Sequence, residues 1–213
     1  VEAMEIGPDN LSDFRKQWTG RRILDLIAEV GGNLLVTWPI GVGKSHNLDD
    51  LVEAAIESSR YDLVVVLLPT RRVLNERRWI KAPPRNLNIV NLRPRPAQSC
   101  GDDVNSQWKV FESRSMGLLG RSILCRPCPS YSRCFWPRQF GRNLQGTQVI
   151  FATQSHLERD PSFIFQLRMW TGARTALVIL DEVNFIAKSI KKIIKREHIE
   201  QLLSILEKIE NVD

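Results

Sequence analysis

The chain has 213 residues, 43% of them hydrophobic and 25% charged. That is ordinary globular usage and excludes disorder, collagen or coiled coil as a description of the whole. Lys and Arg outnumber Asp and Glu by 30 to 24, and no apolar run nears the roughly 18 residues that a membrane-spanning helix needs. The sequence begins at Val1 without a basic-then-apolar leader. The expected location is cytoplasmic, or nuclear in a eukaryote, and not secreted, with no membrane partner.

Ile23, Leu24, Ile27 and Val30 recur at helical spacing, and Gly31 and Gly32 stop that helix. Asn33 to Thr37 (NLLVT) is an apolar run that reads as a buried strand. The segment Trp38-Pro39-Ile40-Gly41-Val42-Gly43-Lys44-Ser45 follows, and a helix runs on from it to about Ser58. Leu63 to Leu68 (LVVVLL) predicts a second buried strand, closed by Pro69. A helix through Thr70 to Trp79 and an alternating strand over Leu87 to Leu92 come next. From Arg93 to Gly146 regular periodicity fades. Gln148 to Ala152 (QVIFA) and Ala176 to Leu180 (ALVIL) read as further strands. A turn or short helix begins near Ser155, and amphipathic helices are expected from Phe185 onward. Short apolar strands alternating with helices predict a three-layer α/β domain with a parallel sheet.

Charge is unevenly distributed. Between Arg60 and Arg142, 14 Arg and 2 Lys face 5 acidic residues, a local charge of +11 that leaves −5 for the rest. Arginine forks onto phosphates and stacks on bases, so nucleic acid is the first partner to consider. Trp108, Tyr131, Phe135 and Trp136 interleave with Arg114, Arg121, Arg133, Arg138 and Arg142, a pattern suited to single strands. A small core around Trp108 is the plainer reading of that tryptophan. His156 reads as a packing or hydrogen-bonding residue, and His46 and His198 as surface residues.

Strand, glycine-rich loop, Lys-Ser and helix make the context of a phosphate-binding loop. Gly41 and Gly43 would turn backbone N–H groups toward phosphate oxygens, flanked by Pro39 and Val42. Lys44 would reach the β- and γ-phosphates of ATP, and Ser45 would ligate Mg²⁺. Downstream, Asp181 and Glu182 end the ALVIL strand, at the sheet edge where ligands bind in open α/β folds. Asp181 would hold Mg²⁺ and Glu182 would act as general base on the attacking water.

All four cysteines, Cys100, Cys125, Cys128 and Cys134, lie inside the basic stretch with the spacing C-x24-C-x2-C-x5-C. Clustered thiols in a chain this long read as a metal site in a reducing compartment. Their chemistry suits a [4Fe–4S] cluster or tetrahedral Zn²⁺.

These motifs, in this order, resemble the first motor domain of a superfamily 2 helicase of the iron–sulfur XPD/DinG-like family. WPIGVGKS resembles motif I. VVVLLPTRRVLNER resembles motif Ia, in which Thr70, with Arg71 beside it, would touch a nucleic-acid phosphate. QVIFATQSHL resembles the family's strand and turn before motif II, and LDEVN resembles its DEAH box. The cysteines fall between motifs Ia and II, as in that family. The likeness covers about residues 20–190. It implies a RecA-like ATP-binding domain from residues 1–92 and 147–213, with a cluster-bearing insertion at 93–146. It also implies a DNA-dependent ATPase or helicase whose cofactors are ATP, Mg²⁺ and [4Fe–4S]. Single-stranded nucleic acid is the implied partner, DNA ahead of RNA. A second RecA-like domain would be supplied further along the chain or in trans. Val183-Asn184 replaces the last two residues of the box. Two other readings stand beside this one: a non-catalytic, metal-stabilised nucleic-acid-binding module, and a P-loop ATPase with a zinc ribbon.

Overall fold

A computed structural model describes residues 16–36, 44–114 and 116–181, without the side chains of residues 44–46 and 118. Helix α1 (Gly20–Val30) opens on Thr19, whose hydroxyl accepts from the Arg22 N–H, and closes on Gly31 at φ 65°. That left-handed closure favours glycine. Helix α2 (Lys44–Glu57) follows. Strand β1 (Leu63–Leu68) is buried along its whole length. After it come two short helices, α3 (Arg71–Asn75) and α4 (Arg78–Lys81), then strand β2 (Ile89–Asn91).

The stretch without visible periodicity is not without helices. It holds α5 (Asp102–Ser113), α6 (Gly117–Gly120), a wide turn over Arg121–Cys125, α7 (Phe135–Arg138) and a 3₁₀ turn over Gly141–Leu144. Strand β3 (Val149–Thr153), helices α8 (Ser155–Arg159) and α9 (Phe163–Thr171), and strand β4 (Ala176–Leu180) complete the described chain.

The four strands form one all-parallel sheet in the order β2-β3-β1-β4. The alternation within β1 shows why its sequence is continuously apolar. Val64, Val66 and Leu68 point into a core with Leu24, Leu51 and Val52 of α1 and α2. Leu63, Val65 and Leu67 point the other way, against Phe140, Leu144, Phe163 and Leu167. Both faces are therefore covered, as parallel sheets require. Each fully buried Val or Leu contributes about 1.5–3 kcal/mol, so β1 anchors the domain. Among the described residues no helix is long and apolar enough to cross a membrane.

Three expectations need correction. Residues 33–36 form no strand, and Thr37 lies outside the described residues. Leu34 packs against the first core, but Leu35 is 65% exposed. A run this short becomes a strand only when it finds a sheet edge, and this one has not. The helix expected over Thr70 to Trp79 is two helices, broken at Glu76 and Arg77. The faded periodicity over 93–146 predicts a stretch that buries little apolar surface. Instead Trp108, Phe140 and Leu144 are buried, the last two in the core beneath the sheet. The amphipathic helices expected from Phe185, with His198, lie outside the described residues.

Candidate functional site

Parallel strands end together. Leu68 of β1 is in register with Thr153 of β3, and Leu67 with Leu180 of β4. The residues just beyond these ends, Thr70-Arg71, Gln154 to His156 and Asp181, therefore share one edge of the sheet. The edge is tied together by backbone. Asp181 N–H donates to Leu67 O at 3.1 Å, and Gln154 N–H to Leu68 O at 2.9 Å. The Gln154 side-chain amide donates to the Asp181 carbonyl. Asp181 is thus fixed at the position where open α/β sheets meet ligands.

Lys44 and Ser45 open α2, where a helix N-terminus can receive phosphate. Pro39, Gly41, Val42 and Gly43 lie outside the described residues, as does Glu182.

Thr70 is the N-cap of α3, its hydroxyl accepting from Val73 N–H at 3.3 Å. Arg71 donates to Asn91 Oδ1 at 2.7 Å and to the Leu92 carbonyl. It clamps β2 to the start of α3, an anchoring role that the sequence did not indicate. Burial, then neighbouring Arg93, pulls its pKa down, although a guanidinium keeps its charge in a protein.

The four cysteines are free and half-buried. Cys125 closes the wide turn, Cys128 N–H donates to its carbonyl at 3.0 Å, and Cys134 caps α7. Burial pushes the Cys125 thiol up to about 11, and the charges of Cys100, Cys134 and Cys128 push in the same direction. Cys100 is thus folded back to within electrostatic reach of Cys125, 24 intervening residues away. Among the described residues no three His, Cys, Asp or Glu side chains form a ready-made metal cage.

Arg114, Arg133, Arg138 and Arg142 are all exposed. Arg138 Nε donates to the Cys134 carbonyl at 3.2 Å, which ties it to a cysteine. Other arginines lie over rings: Arg95 at 5.0 Å from Trp108, Arg121 at 4.8 Å from Phe140 and 4.9 Å from Trp170, and Arg93 at 6.0 Å from Phe135. Arg93 and Arg95 were missed by sequence reasoning. The signal available was their place in Arg93-Pro94-Arg95-Pro96, a stiff extended lead into Cys100. Trp108, Trp136 and Phe140 form an edge-to-face chain with centroids 5.2 and 5.4 Å apart. Trp108 is 2% exposed, so it is core, as its plainer reading held. Phe135 is exposed and Trp136 half-buried. His156 hydrogen-bonds Thr153 and stacks on Phe163, also as read.

No protein-family model, curated protein or solved structure matches this chain. The functional reading therefore rests on its residues and their arrangement.

Proposed function

We propose that the chain is the ATP-binding motor domain of a nucleic-acid-dependent ATPase of the iron–sulfur helicase type. One observation carries this: WPIGVGKS, PTR, the four cysteines, QSH and LDE follow one another in order, and PTR, QSH and Asp181 fall at one sheet edge. Gly41 and Gly43 would give backbone N–H groups to the nucleotide's phosphates. Lys44 would pair with the β- and γ-phosphates. Ser45 and the anchored Asp181 are hard oxygen donors that suit Mg²⁺, which when bound neutralises charge on the transferred phosphoryl group. Glu182 would take the proton of a water attacking the γ-phosphorus. The bond from that phosphorus to the bridging oxygen breaks, and ADP leaves with the electron pair.

Cys125, which feels the charges of the other three cysteines, fits a place in a soft-metal centre. Cys100, Cys125, Cys128 and Cys134 would hold a [4Fe–4S] cluster, or zinc in the alternative reading, as a staple for residues 93–146. The exposed arginines beside them would grip a single strand, DNA ahead of RNA. A second RecA-like domain would complete the nucleotide cleft.

Glu182→Gln tests the chemistry. Single-turnover assays should show ATP·Mg²⁺ bound as in the parent and cleavage slowed by about 10²–10⁴-fold. Cleavage at the parental rate would remove Glu182 as the base and the hydrolytic reading with it.

A further inference from the structure

Between the sheet edge and the cysteine-bearing helices lies a cavity of about 440 Å³. That is the size of a small-molecule site. Thr153 of β3, Ser155 and His156 of α8, and Trp108, Trp136 and Phe140 line it. The Arg159–Glu112 ion pair, at 3.3 Å, joins α8 to α5, and both residues line the cavity. Gly117 lines it too, and a Cβ added there would meet nothing within 4 Å.

The walls state the chemistry of a ligand. Trp108, Trp136, Phe140 and Phe163 supply aromatic lining. Arg71, Arg95, Arg121 and Arg159 outnumber Glu112 and Asp160 around the cavity, which favours an anion. Three of these guanidiniums are already oriented, Arg71 by Asn91 and Leu92, Arg95 by Trp108, and Arg121 by Phe140. Each has five N–H donors, more than those contacts use. The Trp108 Nε1–H is buried with no acceptor among the described residues. His156 Nδ1 lies 3.0 Å from the Thr153 carbonyl, which can only accept, so the proton sits on Nδ1. Nε2 is then an acceptor. The residues lining the cavity thus carry a donor, an acceptor, aromatic rings and cationic groups. Inorganic phosphate would leave the rings unmatched, and an acyl chain would leave the polar groups unmatched. A flat heteroaromatic ring that donates and accepts at its edge and carries an anion matches all of them.

We propose that this cavity binds one nucleotide, its base against the aromatic wall and its phosphate on the arginines. That ligand has two sources: one unstacked residue of a single strand, or a free mononucleotide. Only the first source rests on the nucleic-acid reading above.

Gly117→Phe places a ring at a lining position where an added Cβ meets nothing within 4 Å, and Arg159→Gln removes a lining cation. Each is titrated, with the parent, against fluorescein-labelled dT20 by anisotropy and against dTMP by intrinsic tryptophan fluorescence. dTMP lacks the β- and γ-phosphates that Lys44 would read, so the phosphate loop contributes little. Circular dichroism and melting temperature check that the folds are the same. The expected result is about tenfold or greater loss of affinity in Gly117→Phe and a smaller loss in Arg159→Gln. Loss for dT20 alone assigns the strand as source, and loss for dTMP assigns the free nucleotide, even if dT20 is never bound. If the parent binds dT20 and both variants match it for every ligand bound, the cavity proposal falls while the nucleic-acid reading stands. If the parent binds neither ligand, both fall.

Discussion

His156 is held between Phe163 and the Thr153 carbonyl at the end of β3. Burial is the first cause pulling its pKa below 6.5. The Thr153 hydrogen bond opposes this, and the charges of Arg71 and Arg159 add to it. The sign of the stability effect follows. The folded chain keeps His156 neutral, whereas the unfolded chain takes up a proton below 6.5. The contribution is therefore fully present above pH 6.5 and is lost as pH falls through the lowered folded value. Asp49 works in the opposite direction, because burial raises its carboxyl pKa. The comparison that isolates the histidine is urea unfolding of the parent and His156→Gln between pH 7.5 and 5.5. The parent's midpoint should fall more steeply with acid than the variant's. Parallel curves would show that His156 is not held neutral.

Other single residues were legible only in part. Asp181 could be placed because an apolar strand ending in a carboxylate has one natural position in a parallel sheet. The anchoring role of Arg71 could not, because its partners Asn91 and Leu92 are distant in sequence and ordinary in type.

At the scale of elements, the crossing of α1 and α2 depends on a glycine that periodicity does not reveal. A Cβ on Gly20 would lie 2.3 Å from the backbone of Asp50. Backbone cannot rotate away as a side chain can. Gly20→Ala should therefore cost at least about 1–3 kcal/mol by forcing the helices apart. Gly32→Ala, with nothing within 4 Å, is the control and should stay near the parent. Equal urea midpoints for Gly20→Ala and the parent would contradict the close crossing.

The elements that the sequence revealed are those with one strong local cause. Helix α1 has a cap, a stripe and a stopping glycine; β1, β3 and β4 are short apolar runs, fully buried in β1, buried at four of five positions in β3 and only at Leu177 in β4. Helix α5 went unseen although Val104, Trp108 and Phe111 lie at helical spacing and Asp102 and Asp103 favour its first turn. The prolines and cysteines around it masked a stripe of only three residues. Helix α9 was also unseen, because Phe165 and Met169 on its outer side are exposed and blur the apolar face. The absence of a strand at residues 33–36 has the opposite cause. Its local pattern was sufficient, but pairing is a property of the sheet.

Across the whole molecule, parallel topology gathers motifs that are up to 112 residues apart in sequence, Pro69 to Asp181, at one edge. The basic excess gathers differently. Some of its arginines serve the fold, as Arg71 does through β2 and Arg121 does between two rings. Others, such as Arg133 and Arg142, are on the surface. Charge counting along the chain could not separate these two groups, because burial is decided by which aromatic side chains come near. The proposed phosphate loop is the point on which the proposed function depends. Lys44 begins a 14-residue helix whose buried face is supplied by Leu48, Leu51, Val52 and Ala55, all of which Lys44→Ala leaves in place. Isothermal titration of ATP·Mg²⁺ into the parent and Lys44→Ala tests this most directly. Saturable binding by the parent is expected, with a loss of at least about tenfold in affinity in Lys44→Ala and unchanged melting temperatures without nucleotide. Equal affinity in the two proteins, or no binding by the folded parent, would contradict the proposed loop.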